Sequence, residues 1–378
     1  MAEPLLIFPD DEFRARTAQL QAEMNAHDLD ALLLTTPQDV FYTTGFLTRF
    51  WESPARPWFV IVPAAGLPVA VIPSIGAPLM QRTWVADIRT WDAPNPVDDG
   101  LSLLTDTLRD LRLHRIGVPM GLETHLRMPL ADFHSLSKSF DIVDGTPALH
   151  RTREIKSEAE IAKIRDICTI AGRAFDRVPE IAHAGVPLNQ VFRDFQSLLL
   201  QEGADWVSYV AGAAGPDGYA DVISPAAPTP LRPGDVLMLD TGAVRDGYFC
   251  DFDRNAFVGT PSDAVRRTHD RLWQATEIAL DTLRPGMRAC DAHRILSGPL
   301  DAPGAGRLGH GLGTALTEWP SFTPHDTTEL RAGMVLTLEP SAHVTDTHIL
   351  VHEENIVLRD HGPELLSPRA PQFGTVLR

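Results

Sequence analysis

Five residues stand out by type and spacing: Asp240, Asp251, His310, Glu339 and Glu353. The apolar run Val236-Leu237-Met238-Leu239 ends at Asp240, and Tyr248-Phe249-Cys250 opens a return strand toward Asp251. Between them Asp246-Gly247 is a two-residue hairpin signal. A turn centred there pairs 245 with 248, 242 with 251 and 240 with 253, which puts Asp240, Gly242, Asp251 and Asp253 on one face. Asp251 is then a diagonal neighbour of Asp240, at roughly 7–8 Å between Cα atoms, so the two carboxylates can converge on a cation. Two acids facing one another in an apolar hairpin are strongly disfavoured without one. Gly242, opposite Asp251, is expected to leave room for ions. Asp253, on the same face, is a candidate further ligand or acceptor behind the ligands, the alternative being a solvated or Arg-paired acid.

The second half repeats the device. Met334-Val335-Leu336-Thr337-Leu338 runs apolar into Glu339-Pro340, and the segment 348–358 is a return strand carrying Glu353. Upstream, Gly309-His310-Gly311-Leu312-Gly313 sets a lone imidazole among glycines, where the backbone can approach another group closely. Four carboxylate sources and one imidazole suit Mn2+, Fe2+, Co2+ or Zn2+ and do not suit soft thiolate-type binding.

These residues need elements to hold them. The first part of the chain alternates helix-like segments (11–27, 101–111) with strand-like ones (31–35, 59–63, 68–72, 115–119), an α/β pattern. Around residue 155 the texture changes. Ser157-Glu158-Ala159-Glu160 is a capping box, and Ile161, Ile164, Cys168, Ala171 and Phe175 behind it recur at helical spacing. The boundary is placed so that 1–152 form an N-terminal α/β domain and 153–378 the domain that carries the five residues. That second domain reads as internally duplicated. Ala184-Gly185 followed by Val191-Phe192-Arg193 matches Pro285-Gly286 followed by Ala292-His293-Arg294, and acids fall in corresponding places after each.

The ordered set of Asp240-x-Gly242, Asp251, the GHGLG segment, Leu338-Glu339-Pro340 and Glu353 resembles the pita-bread-fold metallopeptidases. The two-domain length and Tyr42-Thr43-Thr44-Gly45-Phe46 favour the branch of aminopeptidase P, prolidase and creatinase. The resemblance implies an α+β fold, with a C-terminal pita-bread domain behind a smaller creatinase-type α/β domain. It also implies two divalent metal ions, Mn2+ first and Zn2+, Co2+ or Fe2+ as alternatives. Asp240 would chelate one ion, His310 and Glu339 the other, with Asp251 and Glu353 bridging. Four carboxylates and two divalent ions sum to zero, leaving room for a bridging hydroxide that attacks an amide bond. Glu339 would also shuttle the proton. Arg254 matches the family's Asp-x-Thr-Arg segment and would support the site from behind, while Asp253 stands where that segment has Thr. The segment Thr48-Arg49-Phe50-Trp51-Glu52 follows what reads as a YTTGF strand. In this branch such a loop reaches the neighbouring subunit's site, so Arg49 and Trp51 become substrate candidates across a homodimer.

Three departures from the pattern bear on substrate. The family places a His about seventeen residues before the first Asp, where Ile223-Ser224-Pro225 stands here. It places a second His seven residues after the ligand His, where this chain has Thr317, and an Arg two residues before the last Glu, where it has Val351. In the family those histidines bind the substrate amide. Their loss weakens a standard aminopeptidase reading and argues against creatinase chemistry. His325, His343, His348 and His352 are spare imidazoles nearby, with His343 ranked ahead of His352, and Trp319 is a candidate pocket wall. The expected function is an Xaa-Pro dipeptidase or aminopeptidase-like hydrolase. The alternative is C–N or C–S cleavage in a small metabolite of ectoine or sulfonium type.

Composition removes other classes. A formal charge of −17 argues against a nucleic-acid partner. The 44% hydrophobic and 22% charged content is that of a globular chain, and no apolar run reaches membrane-span length. Three cysteines without CxxC spacing point to a reducing compartment. With no signal-peptide pattern at the start, a cytoplasmic protein acting on a dipeptide or other small molecule is expected.

Overall fold

The computed structural model describes residues 7–52, 56–301 and 306–378. By its contacts the chain divides into two units, Met1–Arg153 and Glu154–Arg378.

The first unit is built on β1 (Ala31–Leu34), β2 (Phe59–Pro63), β3 (Val69–Pro73), β4 (Asp87–Trp91), β5 (Arg115–Val118) and β6 (Asp141–Asp144). They form one mixed sheet in the order β4-β3-β2-β1-β5-β6. The central strands are apolar at every position and buried on both faces, as strands covered by helices must be. One expectation fails here. Tyr42-Thr43-Thr44 is not a strand but the last turn of the helix Pro37–Thr44. Thr36 caps its start and Pro37 takes the first helical position, where a missing N–H costs nothing. The β-branched threonines are accommodated because Thr43 Oγ1 donates to Asp39 O at 2.9 Å and Thr44 Oγ1 to Val40 O at 2.6 Å.

The second unit holds two sheets of corresponding build. Strands β7 (Trp206–Gly215), β8 (Val236–Arg245), β9 (Tyr248–Phe249), β10 (Phe252–Val258) and β18 (Thr375–Leu377) make the first. The second consists of β11 (His310–Gly311), β12 (Glu318–Ser321), β13 (Val335–Leu338), β16 (Glu354–Arg359) and β17 (Gly362–Leu365). A separate hairpin pairs β14 (Ser341–His343) with β15 (Ile349–Val351). The predicted duplication is present in hydrogen bonds. Gly185 N donates to Leu231 O at 2.8 Å, and Gly286 N to Leu330 O at 2.8 Å. Isolated bridges Pro187↔Pro230 and Arg288↔Glu329 repeat in the same places. Asp240 and Glu339 each lie nine residues beyond those two leucines. Long helices capped by Ser157 and Ser262, Glu158–Asp176 and Asp263–Thr282, precede each half. The capping box at Ser157 and Glu160 is formed, and its helix buries Ile161, Ile164, Cys168, Ala171 and Phe175. No helix among the described residues is long and apolar enough to cross a membrane.

Candidate metal centre

The hairpin follows the predicted register. Asp246 and Gly247 take positive φ of 52° and 80°, the left-handed pair a tight hairpin demands, and Arg245 pairs with Tyr248 and Asp240 with Asp253. Asp251 falls between β9 and β10, outside either strand, so the ladder does not hold it. Asn355 of β16 does. Asp251 N donates to Asn355 Oδ1 at 2.9 Å and Asn355 Nδ2 donates back to Asp251 O, a two-point clasp on one residue's main chain. His310 N donates to Thr337 Oγ1 at 3.0 Å, and its ring Nδ1 lies 2.8 Å from Gly311 O. A carbonyl there needs a proton on Nδ1, which leaves Nε2 as the nitrogen that faces the acids. Glu339 follows β13, its N donating to Leu308 O at 3.0 Å, and Glu353 precedes β16.

These residues meet. Among the described residues, Asp251, His310 and Glu353 each offer a donor atom within 4.8 Å of the others. His310 Nε2 is 3.2 Å from Asp251 Oδ2 and 3.8 Å from Glu339 Oε2. The Tyr209 hydroxyl lies 3.0 Å from Asp240 Oδ2 and 2.6 Å from Asp251 Oδ1, tying the hairpin acids together. Its single proton can serve only one carboxylate, so the other must be protonated or give its oxygen to a cation.

Burial drives the electrostatics. It pushes the Asp240 and Glu353 carboxyls well above their ordinary values, and the neighbouring carboxylates add to the push. Glu339 is raised by burial too, against the opposing charge of His310. His310 is disfavoured as a cation by burial, but its hydrogen bond to Asp251 and the surrounding acids leave it above its ordinary value. Among the described residues, four buried carboxylate oxygens have no hydrogen-bond partner: Asp240 Oδ1, Asp253 Oδ1, Glu339 Oε2 and Glu353 Oε1. An unpartnered buried oxygen costs about 1–3 kcal/mol, and more when charged. Hard oxygen donors left bare beside an imidazole nitrogen, as at Glu339 and Glu353 near His310, fit divalent cations.

Other sequence candidates lie outside this cluster or behind it. Arg254 reaches the main-chain oxygens of Asp253 and Glu353, at 2.6 and 2.8 Å, and the Glu354 carboxylate at 3.0 Å. Asp253 is buried directly opposite Asp240. His343 is exposed on β14 with Nδ1 3.2 Å from Thr345 O, and His352 is buried with Nε2 accepting from Arg369. Burial, then the charges of Arg254 and Arg369, hold the His352 imidazole well below its ordinary value and so neutral. The Trp319 indole donates to Thr328 Oγ1 at 2.9 Å. Within the first unit, Trp51 packs against Phe46 and Trp58 beneath the Arg127 guanidinium, and Arg49 is exposed.

Gly242 does not leave room for ions. A Cβ there would lie 2.6 Å from both Leu316 Cδ1 and Tyr209 Cε1, so side chains already fill the space opposite Asp251. Leu316 is delivered by a loop whose Glu318 carboxylate accepts from Ala315 N at 3.1 Å and pairs with Lys156 at 3.0 Å, both acid and amine buried. Sequence reasoning missed Tyr209 because the register shifts between Val207 and Val210, a bulge that strand alternation does not reveal. It missed Asn355 because a clasp between distant segments has no local signature.

A model of metallopeptidase family M24 matches residues 162–360, and a model of the creatinase/prolidase N-terminal domain matches residues 16–155. Among curated relatives, a protein named probable dipeptidase PepE from Mycobacterium tuberculosis is 27% identical over 345 residues, 88% of this chain and 89% of its own. An uncharacterized peptidase of Staphylococcus saprophyticus is 25% identical, covering 92% of this chain and 98% of its own. Among solved structures, dipeptidase PepE from Mycobacterium ulcerans superposes with a TM-score of 0.84 at 24% identity, over 98% of this chain and 99% of that one. The recombinant prolidase from Thermococcus sibiricus gives 0.85 at 23% identity, over 97% and 99%. With more than half its length matched by the catalytic-domain model and most of the remainder by the N-terminal one, the chain belongs to metallopeptidase family M24.

Proposed function

We propose that this metal-dependent hydrolase is a dinuclear dipeptidase acting on short Xaa-Pro peptides. The observation that carries the reading is the buried cluster of Asp251, His310 and Glu353, with Glu339 3.8 Å from His310, Asp240 tied to Asp251 through Tyr209, and carboxylate oxygens left unpartnered. Asp240 would hold one ion and His310 and Glu339 the other, with Asp251 and Glu353 between them; Mn2+ fits this oxygen-rich set best. Bound ions would make water nucleophilic near neutral pH and polarise the scissile carbonyl. Tyr209 orients two of the acids. Glu339, whose side chain keeps 26% exposure while that of Asp251 keeps 6%, is the acid able to exchange a proton with a bound substrate. Names of relatives include dipeptidase and prolidase, which supports a small peptide substrate. A homodimer, which the family resemblance implies, would let the loop bearing Arg49 and Trp51 serve the neighbouring copy.

A specific observation keeps the small-metabolite reading open. The positions of the family's two substrate histidines carry Ile223, which is 88% exposed, and Thr317. Reconstitution with Mn2+ followed by assay of Xaa-Pro dipeptides beside ectoine-type and sulfonium substrates decides between them. Hydrolysis of the proline dipeptides is expected, with Asp240→Ala reducing it by about a hundredfold or more. Turnover of a small metabolite while every proline dipeptide stays inert would overturn the peptidase reading.

A further inference from the structure

We infer that Asp253 is a sixth ligand of the cation pair, seated beside Asp240, so that five carboxylates and one imidazole face the ions. This rests on the dinuclear reading and deepens it by naming a ligand and the class of cation it selects.

The argument begins in the register. Asp253 of β10 is the direct Cα partner of Asp240 of β8. Directly opposed residues project to the same face with Cβ atoms about 4.5–5.5 Å apart, a span two carboxylates can close onto one ion. Asp253 is 1% exposed, so water does not solvate it. Its Oδ2 is fixed, accepting from Asn255 Nδ2 at 3.0 Å, and the Glu353 main-chain N–H also acts on the carboxyl. Asn255 is fixed in turn, since Nδ2 also donates to Val351 O at 2.6 Å and Oδ1 accepts from the Tyr219 hydroxyl at 3.1 Å. With one oxygen pinned, the direction of the other is set, and Oδ1 is buried with no hydrogen-bond partner.

The nearest guanidinium does not supply one. Arg254 spends Nη1 on the main-chain oxygens of Asp253 and Glu353, and Nη2 on the Glu354 carboxylate and Pro368 O. Asp253 Oδ1 therefore shares the condition of Asp240 Oδ1, Glu339 Oε2 and Glu353 Oε1, and among the described residues no other buried carboxylate oxygen is left so. Three of the four belong to residues that the dinuclear reading assigns to the ions. The fourth belongs to the residue facing one of them.

The consequence is chemical. Five acids against two divalent ions leave an excess of one negative charge and add an oxygen to the coordination on the Asp240 side. That favours a hard cation of higher coordination number, such as Mn2+, over Zn2+, whose closed protein sites are four-coordinate.

The test is Mn2+ and Zn2+ titration calorimetry with Mn2+ electron paramagnetic resonance on the whole protein, comparing wild type, Asp253→Asn and Asp253→Ser. Wild type is expected to bind two Mn2+. In Asp253→Asn, with circular dichroism showing a folded chain, one of the two should bind about tenfold or more weakly, and the preference should move toward Zn2+. The rise in melting temperature on adding Mn2+ should shrink as well. Should the Asn variant fail to fold, Asp253→Ser gives the same readout with a smaller side chain. Two Mn2+ ions bound with wild-type constants and an unchanged resonance spectrum in either folded variant would overturn the assignment. A wild-type protein that binds fewer than two ions would instead remove the dinuclear reading on which it stands.

Discussion

Tyr209 stands between two acids with one proton to give, and the residues around it share that shortage. Asp240, Glu339 and Glu353 are pushed above ordinary values of 3.8, 4.5 and 4.5 by burial first, with neighbouring carboxylates adding to it at Asp240 and Glu353 and the charge of His310 opposing it at Glu339. In the unfolded chain they titrate near the ordinary values, so between those values and the raised ones the folded state binds more protons than the unfolded state. Stability then falls as pH rises through that window. His310 adds to the same trend. Its value is raised above 6.5, so its contribution is present below 6.5 and is lost as pH climbs through the folded value. The melting temperature of metal-free protein should therefore drop from about pH 5 to about pH 8, each group contributing at most about 1.4 kcal/mol per pH unit. The Mn2+-loaded protein should show a flatter profile, because cations replace the protons, and calorimetry should record proton release on binding. A metal-free melting temperature that rises over this range would show that the acids are not held as described.

At the scale of elements, what could be read in the sequence depended on how locally each feature is specified. Asp246-Gly247 sets the hairpin turn by its own backbone preferences, and parity then places Asp240 opposite Asp253 without further information. The capping box at Ser157 and Glu160 is likewise contained in four residues. Features that depend on distant partners stayed hidden. The bulge before Val210 aims Tyr209 at the acids, and nothing in the composition of β7 marks it. Gly242 reads as empty space in sequence, whereas a loop seventy residues and more away fills it with Leu316. The threonines at 43 and 44 read as strand until the Thr36 cap and Pro37 are weighed with them. Asn355 is the element-scale feature with the largest expected effect. Asn355→Ala leaves the Asp251 N–H and C=O unpaired in the interior, so chemical denaturation should show a loss of about 2–4 kcal/mol. Mn2+ binding should weaken with it. Asn355→Asp, which keeps the acceptor for Asp251 N but sets a buried carboxylate oxygen against Asp251 O, should lose at least as much; full stability in the Ala variant would show that the clasp does not hold Asp251.

Over the whole molecule, the duplication explains why the acids come in two sets. Asp240 and Asp251 belong to the first sheet and its hairpin, His310, Glu339 and Glu353 to the second and the segments beside it, so the donor set proposed for the cations is drawn from both. The excess of acidic residues, with a net charge of −17, is compatible with a protein that concentrates several carboxylates around cations. Between the two sheets runs the clasp from Asn355 to the main chain of Asp251. Its consequence can be stated in terms of hydrogen exchange. The Asp251 amide lies outside every strand, so ladder protection alone would let it exchange quickly with deuterium. Held by a buried carboxamide from the opposite sheet, it should exchange as slowly as the central amides of β8 and β16, and only when the two sheets part. One peptide covering residue 251 would then serve as a clock for that parting, and the clock should slow further when cations are added.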